Sequence, residues 1–171
     1  ENVNATLEVG ADSQGATDLD LTLNGISNDV TFEDGTHTNG SDLEVIHVTG
    51  AADAALNVVA LSDSLTTIGA GAATGNLDIT AAVQDGASLT ITTGAGSDSV
   101  VVGGSSSSDT TVTIAAGQGD NYIGADVFGF LHVTAGAGDD ELETNVQALE
   151  VAGSSAALGG GDNTLTLHYN D

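Results

Sequence analysis

The chain has 171 residues and contains no Lys or Arg against 25 Asp and Glu, so its formal net charge is −25. Without a basic side chain the protein has no means of neutralising phosphates, which excludes nucleic acids and anionic membrane surfaces as partners. Cysteine is absent as well, which excludes disulfides, thiolate catalysis and cysteine-ligated metals.

The uniform charge must be compensated from outside the sequence. Salt bridges within the chain are excluded because no Lys or Arg is present, and the carboxylates repel one another, so a divalent cation is expected. Hydrophobic residues nevertheless make up 40% of the sequence, in many short alternating runs, and this pattern favours a folded chain over a disordered one. The length predicts one domain over residues 1–171. The chain begins with Glu1 and is interpreted as a processed protein or an excerpt.

Short runs that alternate apolar and polar residues predict half-buried β-strands along the whole chain. In chain order they are Leu7 to Val9, Leu19 to Leu23, Leu43 to Val45, Leu77 to Ile79, Leu89 to Ile91, Val112 to Ile114, Leu131 to Val133, Leu149 to Val151 and Leu165 to Leu167. Gly, Asn, Asp and Ser separate these runs, and good helix formers are scarce. The sequence therefore predicts an all-β protein.

A repeat indicates which kind of all-β fold this is. Four segments share the pattern G-x-G-x-[DN]-x-U, where U is a large aliphatic residue, and their starts are 23, 19 and 23 residues apart. The segments begin at Gly94, Gly117, Gly136 and Gly159. One strand–turn–strand unit in about 20 residues is the size of one solenoid coil. The repeat predicts a parallel β-helix or β-roll-like solenoid, with eight or nine coils if the whole chain follows it.

The two parts of the chain differ in how well they follow the repeat. Residues 65–171 carry the glycine motif, whereas residues 1–64 keep the alternating runs but lack it. The N-terminal part is therefore predicted to be either a less regular β-rich portion or a set of degenerate coils.

The motif has the chemistry of a calcium site. Glycines allow positive φ and bring backbone carbonyls close together, while Asp supplies a hard oxygen ligand. An ion held between the turns of successive coils would cancel their mutual repulsion. The candidate ligands are Gly94, Gly96, Asp98, Gly117, Gly119, Asp120, Asn121, Gly136, Gly138, Asp139, Asp140, Gly159, Gly161, Asp162 and Asn163.

From about Leu65 to Leu167 the motif resembles the nonapeptide of RTX proteins, which are secreted bacterial β-rolls. The resemblance implies that the glycine-rich residues form a calcium-binding turn and that the aliphatic residue begins an inward-facing strand. Two features depart from the family: the motif occurs once per coil, and Asn121 and Asn163 replace Asp in two of the four repeats. Fewer charges per site imply weaker or fewer ions.

The run from Leu65 to Thr80 is similar to a segment of RTX-type surface-layer proteins. This resemblance implies a secreted, extracellular structural protein at the cell surface, which assembles with copies of itself into a Ca²⁺-dependent surface layer or adhesive filament. The alternative is a monomeric accessory or adhesin module of a secreted polysaccharide-acting protein, with a cell-surface glycan as partner.

No catalytic constellation stands out, so an enzyme is not predicted. The four histidines (His37, His47, His132 and His168) are scattered without ligand spacing and are interpreted as solvent-facing residues. Paired acids such as Asp139 and Asp140 are the residue type that glycoside hydrolysis uses, but the aromatic residues for sugar stacking are few. Calcium ligation or solvation is the favoured interpretation of these acids.

Overall fold

The computed structural model describes residues 3–9, 17–34 and 42–169, with side chains from residue 17 onward. Within them the chain forms fifteen β-strands, a 3-10 turn at Val59–Leu61 and one α-helix, α1, at Val146–Glu150. The strands are β1 (Val3–Val9), β2 (Asp18–Leu23), β3 (Ser27–Asp34), β4 (Val45–Gly50), β5 (Asp53–Asn57), β6 (Thr67–Ala73), β7 (Leu77–Ala82), β8 (Ser88–Thr92), β9 (Ser99–Gly103), β10 (Thr111–Ala115), β11 (Tyr122–Ala125), β12 (Phe130–Thr134), β13 (Glu141–Asn145), β14 (Ser155–Ala157) and β15 (Thr164–His168). The prediction of an all-β protein is confirmed.

The strands form two parallel sheets, and the chain alternates between them. The odd-numbered strands form an eight-stranded sheet and the even-numbered strands a seven-stranded sheet, each in sequence order. Each coil therefore adds one strand to each sheet, and from β3 to β15 the chain makes about six turns. The solenoid prediction is confirmed. Strands β1 to β5 lie in the same two sheets, so the N-terminal part continues the coils where it is described.

Most coils are longer than the value of about 20 residues that gives eight or nine coils. Register partners such as Ile68 and Ile91 are 23 residues apart, and Val30 and Leu56 are 26 apart. The value of 19 between Val112 and Leu131 belongs to one short coil. The predicted eight or nine coils is therefore too many, because most connections between the sheets need more residues than the shortest one.

The core lies between the two sheets, and the period of two explains it. In the strands whose side chains are described, alternate residues face inward, most of these are apolar, and they stack on the same position of the neighbouring coil. One such row runs through Ile79, Val100, Ile123 and Leu142, all fully buried. Burying a side chain of this size contributes about 1.5–3 kcal/mol. The row therefore holds successive coils together without any charged contact.

The last coil shows what this stacking provides. Leu165 pairs with Leu142 and occupies the same inward position, yet it is 48% exposed while Leu142 is fully buried. Among the described residues no further coil lies on β15. The burial of each inward residue thus depends on coils above and below it.

One predicted strand is wrong. Leu149 to Val151 alternates like a strand, but Val146–Glu150 forms helix α1. The Asn145 side chain caps it by accepting a hydrogen bond from the Ala148 backbone N–H at 2.8 Å. Strand β14 takes the sheet position instead, which leaves this segment as a connection. No helix in the described ranges is long and apolar enough to cross a membrane.

Candidate functional site

The four glycine motifs stack directly on one another at one corner of the solenoid. The first glycines lie so close that a Cβ atom on Gly117 would be 1.6 Å from the Gly94 carbonyl oxygen. The second glycines have positive φ, for example 107° at Gly119. The first glycine is therefore required by close backbone approach and the second by its backbone conformation. We call each segment from the first glycine to the fifth residue a motif turn.

The fifth residues of the motif turns form an inner column, which consists of Asp98, Asn121, Asp140 and Asn163. Each side chain in it accepts a backbone hydrogen bond from the coil before. The Asp98 N–H donates to Asn121 Oδ1 at 3.0 Å, and the Asn121 N–H donates to Asp140 Oδ1 at 3.0 Å. Asp98, Asn121 and Asp140 are at most 2% exposed. The inner column is thus a buried ladder of side-chain to backbone hydrogen bonds.

The fourth residues form an outer column that faces solvent. It is longer than the motif and consists of Asp53, Asn76, Ser97, Asp120, Asp139 and Asp162. Here the donors lie in the following coil: the Asp139 N–H donates to Asp120 Oδ1 at 2.9 Å, and the Asp162 N–H donates to Asp139 Oδ1 at 2.8 Å. The two columns therefore tie the motif turns at Gly117, Gly136 and Gly159 to one another in both directions. Of these side-chain bonds, only the inner-column one joins the turns at Gly94 and Gly117.

Two members of the outer column, Asp53 and Asn76, were not identified from the sequence. Asp53 accepts a hydrogen bond from the Asn76 N–H, and Asn76 accepts one from the Ser97 N–H, both at 2.8 Å. Neither belongs to a full glycine motif, so pattern matching passes over them. The signal was the spacing, because Asn76 follows Gly75 and precedes an inward Leu77, as the fourth residue does in each motif.

Asp98 and Asp140 differ from the asparagines between them in one respect. The Oδ2 atoms of both aspartates are buried and have no hydrogen-bond partner. The Asn121 amide, in contrast, donates to Gly119 O at 2.8 Å. The equivalent carbonyls of Gly96 and Gly138 accept no hydrogen bond from any described residue. Each aspartate turn thus holds two unpartnered oxygens where an asparagine turn holds a closed hydrogen bond.

The donor chemistry of the aspartate turns suits a hard cation. Carboxylate and carbonyl oxygens are the ligands that calcium selects, and an ionised carboxylate is costly to bury without compensation. No three or more His, Asp or Glu side chains converge as a metal cluster in the part of the chain that the structure describes. An ion here would therefore take most of its ligands from the backbone. Asp98 with Gly96, and Asp140 with Gly138, are the residues that would hold it.

The other predicted ligands are divided by the two columns. Asp120, Asp139 and Asp162 lie in the exposed outer column, away from the buried oxygens of Asp98 and Asp140. The carbonyls of Gly94, Gly117 and Gly136 accept backbone hydrogen bonds from the next coil. Gly159, Gly161 and Asn163 lie in the exposed last coil. Asp139 and Asp140 therefore face opposite environments and do not form a carboxylate pair.

A second polar cluster lies on the outer surface of the eight-stranded sheet. The Tyr122 hydroxyl donates to Glu143 Oε2 at 2.7 Å, and His168 Nε2 lies 2.6 Å from Glu143 Oε1. The hydrogen bond from Tyr122, followed by that from His168, holds the pKa of Glu143 below its usual value. The same bond to Glu143, together with partial burial, raises the pKa of Tyr122. These side chains line an open groove of about 350 Å³ with a floor at Val101 and Gly124.

The outer strand positions account for three of the four histidines. His47, His132 and His168 lie on β4, β12 and β15, and His47 and His168 are exposed while His132 is half-buried. The prediction that the chain contains no salt bridge considered only Lys and Arg. It overlooked histidine, because His168 forms an ion pair with Glu143 when His168 is protonated. His37 lies outside the described residues.

The corner opposite the motif turns is held by serines. Asp85 accepts hydrogen bonds from the Ser106 N–H at 2.7 Å and from the Ser105 hydroxyl at 3.2 Å. The Ser106 backbone bond is the main cause that lowers the pKa of Asp85. Ser105 is buried and also bonds Thr110 at 2.6 Å. At this corner, polar contacts from Asp85 to the serines of the next coil join the two coils.

The chain matches no protein-family model, no curated protein and no solved structure. Its function is therefore inferred from its fold and from the sites described above.

Proposed function

We propose that this protein is an extracellular, calcium-binding structural module that assembles with copies of itself into a bacterial surface layer or filament. The observation that carries the proposal is the pair of buried aspartates, Asp98 and Asp140, each with an unpartnered carboxylate oxygen. The chain has no Lys or Arg to neutralise them. A cation supplied by the medium is the compensation that this composition leaves open.

Calcium would act on the whole chain as well as on the two turns. The exposed carboxylates of Asp120, Asp139 and Asp162 lie on successive coils, whose strands are about 4.8 Å apart. Like charges at this spacing oppose stacking, and a divalent cation reduces the opposition. Extracellular calcium sites bind with dissociation constants of about 0.1–1 mM. The proposal therefore places folding and assembly under the control of millimolar calcium.

The resemblance of residues 65–167 to RTX proteins supports the extracellular setting, and the resemblance of residues 65–80 to RTX-type surface-layer proteins supports the assembly. A solenoid also presents unpaired strand edges at its ends, and no Lys or Pro is available to block strand addition there. Calcium bridging between outer columns of neighbouring copies would add a second contact.

The test is a calcium titration of chelated protein, followed by circular dichroism and light scattering together. The proposal expects β-sheet signal and large particles to appear in the millimolar range, and both to disappear on chelation. Unchanged spectra and unchanged particle size after chelation would contradict it. Magnesium at equal concentration is the control for general charge screening, since it rarely uses all-protein cages.

The groove beside Tyr122 favours a second candidate, a monomeric glycan-binding module. The Tyr122 ring lies against the strand at Gly124, with Glu143 and Asp126 as hydrogen-bonding groups around it. An aromatic surface flanked by a few placed polar groups is the usual composition of a small-ligand site. A chain this acidic would favour a neutral saccharide. Calcium-induced β-signal without particles would move this candidate ahead.

A further inference from the structure

Carboxylates are distributed unequally between the two sheets. The strands β4, β6, β8, β10, β12 and β14 contain no Asp or Glu at any position, in a chain that has 25. The strands of the other sheet carry Glu8, Asp29, Glu33, Asp34, Asp53, Asp78, Glu141 and Glu143. Strand β2, at the edge of the seven-stranded sheet beside β4, carries the exposed residues Asp18 and Asp20. We call the outer surface of β4, β6, β8, β10, β12 and β14 the neutral face.

The centre of the neutral face, on β6, β8 and β10, consists mainly of small and threonine side chains, while His47 on β4 and His132 on β12 lie toward its two ends. Thr67, Thr90 and Thr113 are register partners and form one row across three neighbouring strands. A parallel row contains Thr92 and Thr134. All five are half-buried or exposed, so their methyl and hydroxyl groups reach the surface. Threonine on a strand offers apolar contact and a hydrogen-bonding group at the same position.

The charges lie at the two borders of this face. Asp85 and Asp109 are exposed in the loops before β8 and β10, on one side. Asp120 and Asp139 of the outer column follow β10 and β12 on the other side. A partner seated on the neutral face would therefore meet a neutral centre and acidic borders.

We propose that the neutral face is the surface through which one copy of this chain contacts a second copy. The inference rests on the proposed self-assembly and names the contact within it. Two chains of charge −25 repel each other, so close contact is cheapest where no carboxylate must be buried. Two neutral faces placed together keep their carboxylates at the border, where solvent and calcium reach them.

The size of the face sets the strength of the contact. Six strands about 4.8 Å apart and about 17 Å long cover roughly 400 Å². A stable pairwise complex uses about 800 Å² on each partner. One such contact is weak and reversible by itself, and many copies are needed to hold an assembly through it.

The experiment places charges on this face and on its counterpart. Thr90→Asp with Thr113→Asp introduces two carboxylates at neighbouring register positions of β8 and β10. Asn57→Asp with Thr80→Asp is the matched control, because these exposed residues are neighbouring register partners on the outside of β5 and β7. Particle mass in excess calcium is measured by light scattering and sedimentation, and circular dichroism reports folding.

The neutral-face variant is expected to remain folded and to need at least tenfold more protein to form particles, while the control assembles as the unmodified chain does. Thr90→Asn with Thr113→Asn, which has the same size without the charge, should assemble normally. Thr113→Asp alone serves if the double variant does not fold.

Failure of the neutral-face assignment and failure of the proposed self-assembly give different results. Particles from the neutral-face variants at the normal concentration would overturn the assignment of this face while the proposed assembly stands. Loss of particles in the control alone would assign the contact to the other sheet. An unmodified chain that forms no particles in calcium would overturn self-assembly and this inference together.

Discussion

The inner and outer columns consist of the same residue types at adjacent positions of the same turns, yet their surroundings are opposite. Asp140 is 1% exposed, whereas its neighbour Asp139 is exposed to solvent. Both accept backbone hydrogen bonds through Oδ1. The difference is in the second oxygen, which water can reach in Asp139 and which has no partner in Asp140. Burial, and not residue type, therefore decides which carboxylates need a counter-ion.

Within the inner column, aspartate and asparagine differ in how many of their polar atoms find a partner in the protein. Asp and Asn alternate in it, and both accept the backbone N–H of the preceding coil equally well. An asparagine completes its hydrogen bonds within the protein, as Asn121 does with Gly119 O and Asp140 Oδ1. Asp98 and Asp140 each keep one carboxylate oxygen, Oδ2, without a partner. The ladder itself requires only one acceptor oxygen from each aspartate, which leaves the second oxygen free for the proposed cation.

The largest effect is expected from a variant that adds a side chain in the narrow space between two stacked motif turns. In Gly117→Ala the new Cβ would meet the Gly94 carbonyl at 1.6 Å, so neighbouring coils must separate. We expect a loss of about 4 kcal/mol in unfolding free energy, or no folding. Gly103→Ala is the control, because its Cβ would have no neighbour within 4 Å and its φ is not positive. Urea unfolding measures both, and equal stability of the two variants would contradict the stacked-turn account.

The second-largest effect is expected when one carboxylate is removed from the inner column, and the comparison is the same removal from the outer column. In Asp140→Ala the Asn121 N–H and side-chain amide lose their buried acceptor. Each unsatisfied buried donor costs about 1–3 kcal/mol, so we expect a loss of about 2–4 kcal/mol in excess calcium. Asp139→Ala should cost less than about 1 kcal/mol, because water replaces the lost acceptor of an exposed N–H. Equal costs in urea unfolding would show that the columns do not differ as described.

The sequence was informative where local pattern and tertiary structure agree. Alternation in Leu89 to Ile91 or Val112 to Ile114 predicts strands because one face of each is buried, and the structure confirms them. The motif correctly predicted that its aliphatic residue faces inward, as Val100 and Ile123 do, although the strands begin one residue earlier, at Ser99 and Tyr122. The inward position of the fifth residue, and the outward position of the fourth, follow from the same alternation.

The sequence was less informative where the answer depended on other coils. Leu149 to Val151 alternates, but Asn145 caps a helix there and β14 fills the sheet position. The Glu143 pair with Tyr122 and His168 joins residues 21 and 25 positions apart on three strands, and the sequence distance alone does not indicate it. Nor does the motif reveal which carboxylates keep an unpartnered oxygen, since that depends on the amide of the neighbouring turn.

The most direct test of the central claim measures how much calcium stabilises three proteins: the unmodified chain, Asp98→Asn with Asp140→Asn, and Asp120→Asn with Asp139→Asn. Both variants remove two charges, but only the first removes the buried oxygens. With sites of about 0.1–1 mM, 10 mM calcium should add about 1.4–2.7 kcal/mol per site to the unfolding free energy. We predict this gain for the unmodified chain and the outer-column variant. The inner-column variant, which folds without calcium, should gain only what screening of its remaining surface carboxylates provides, which is less than one site adds. A full gain in the inner-column variant would contradict the account.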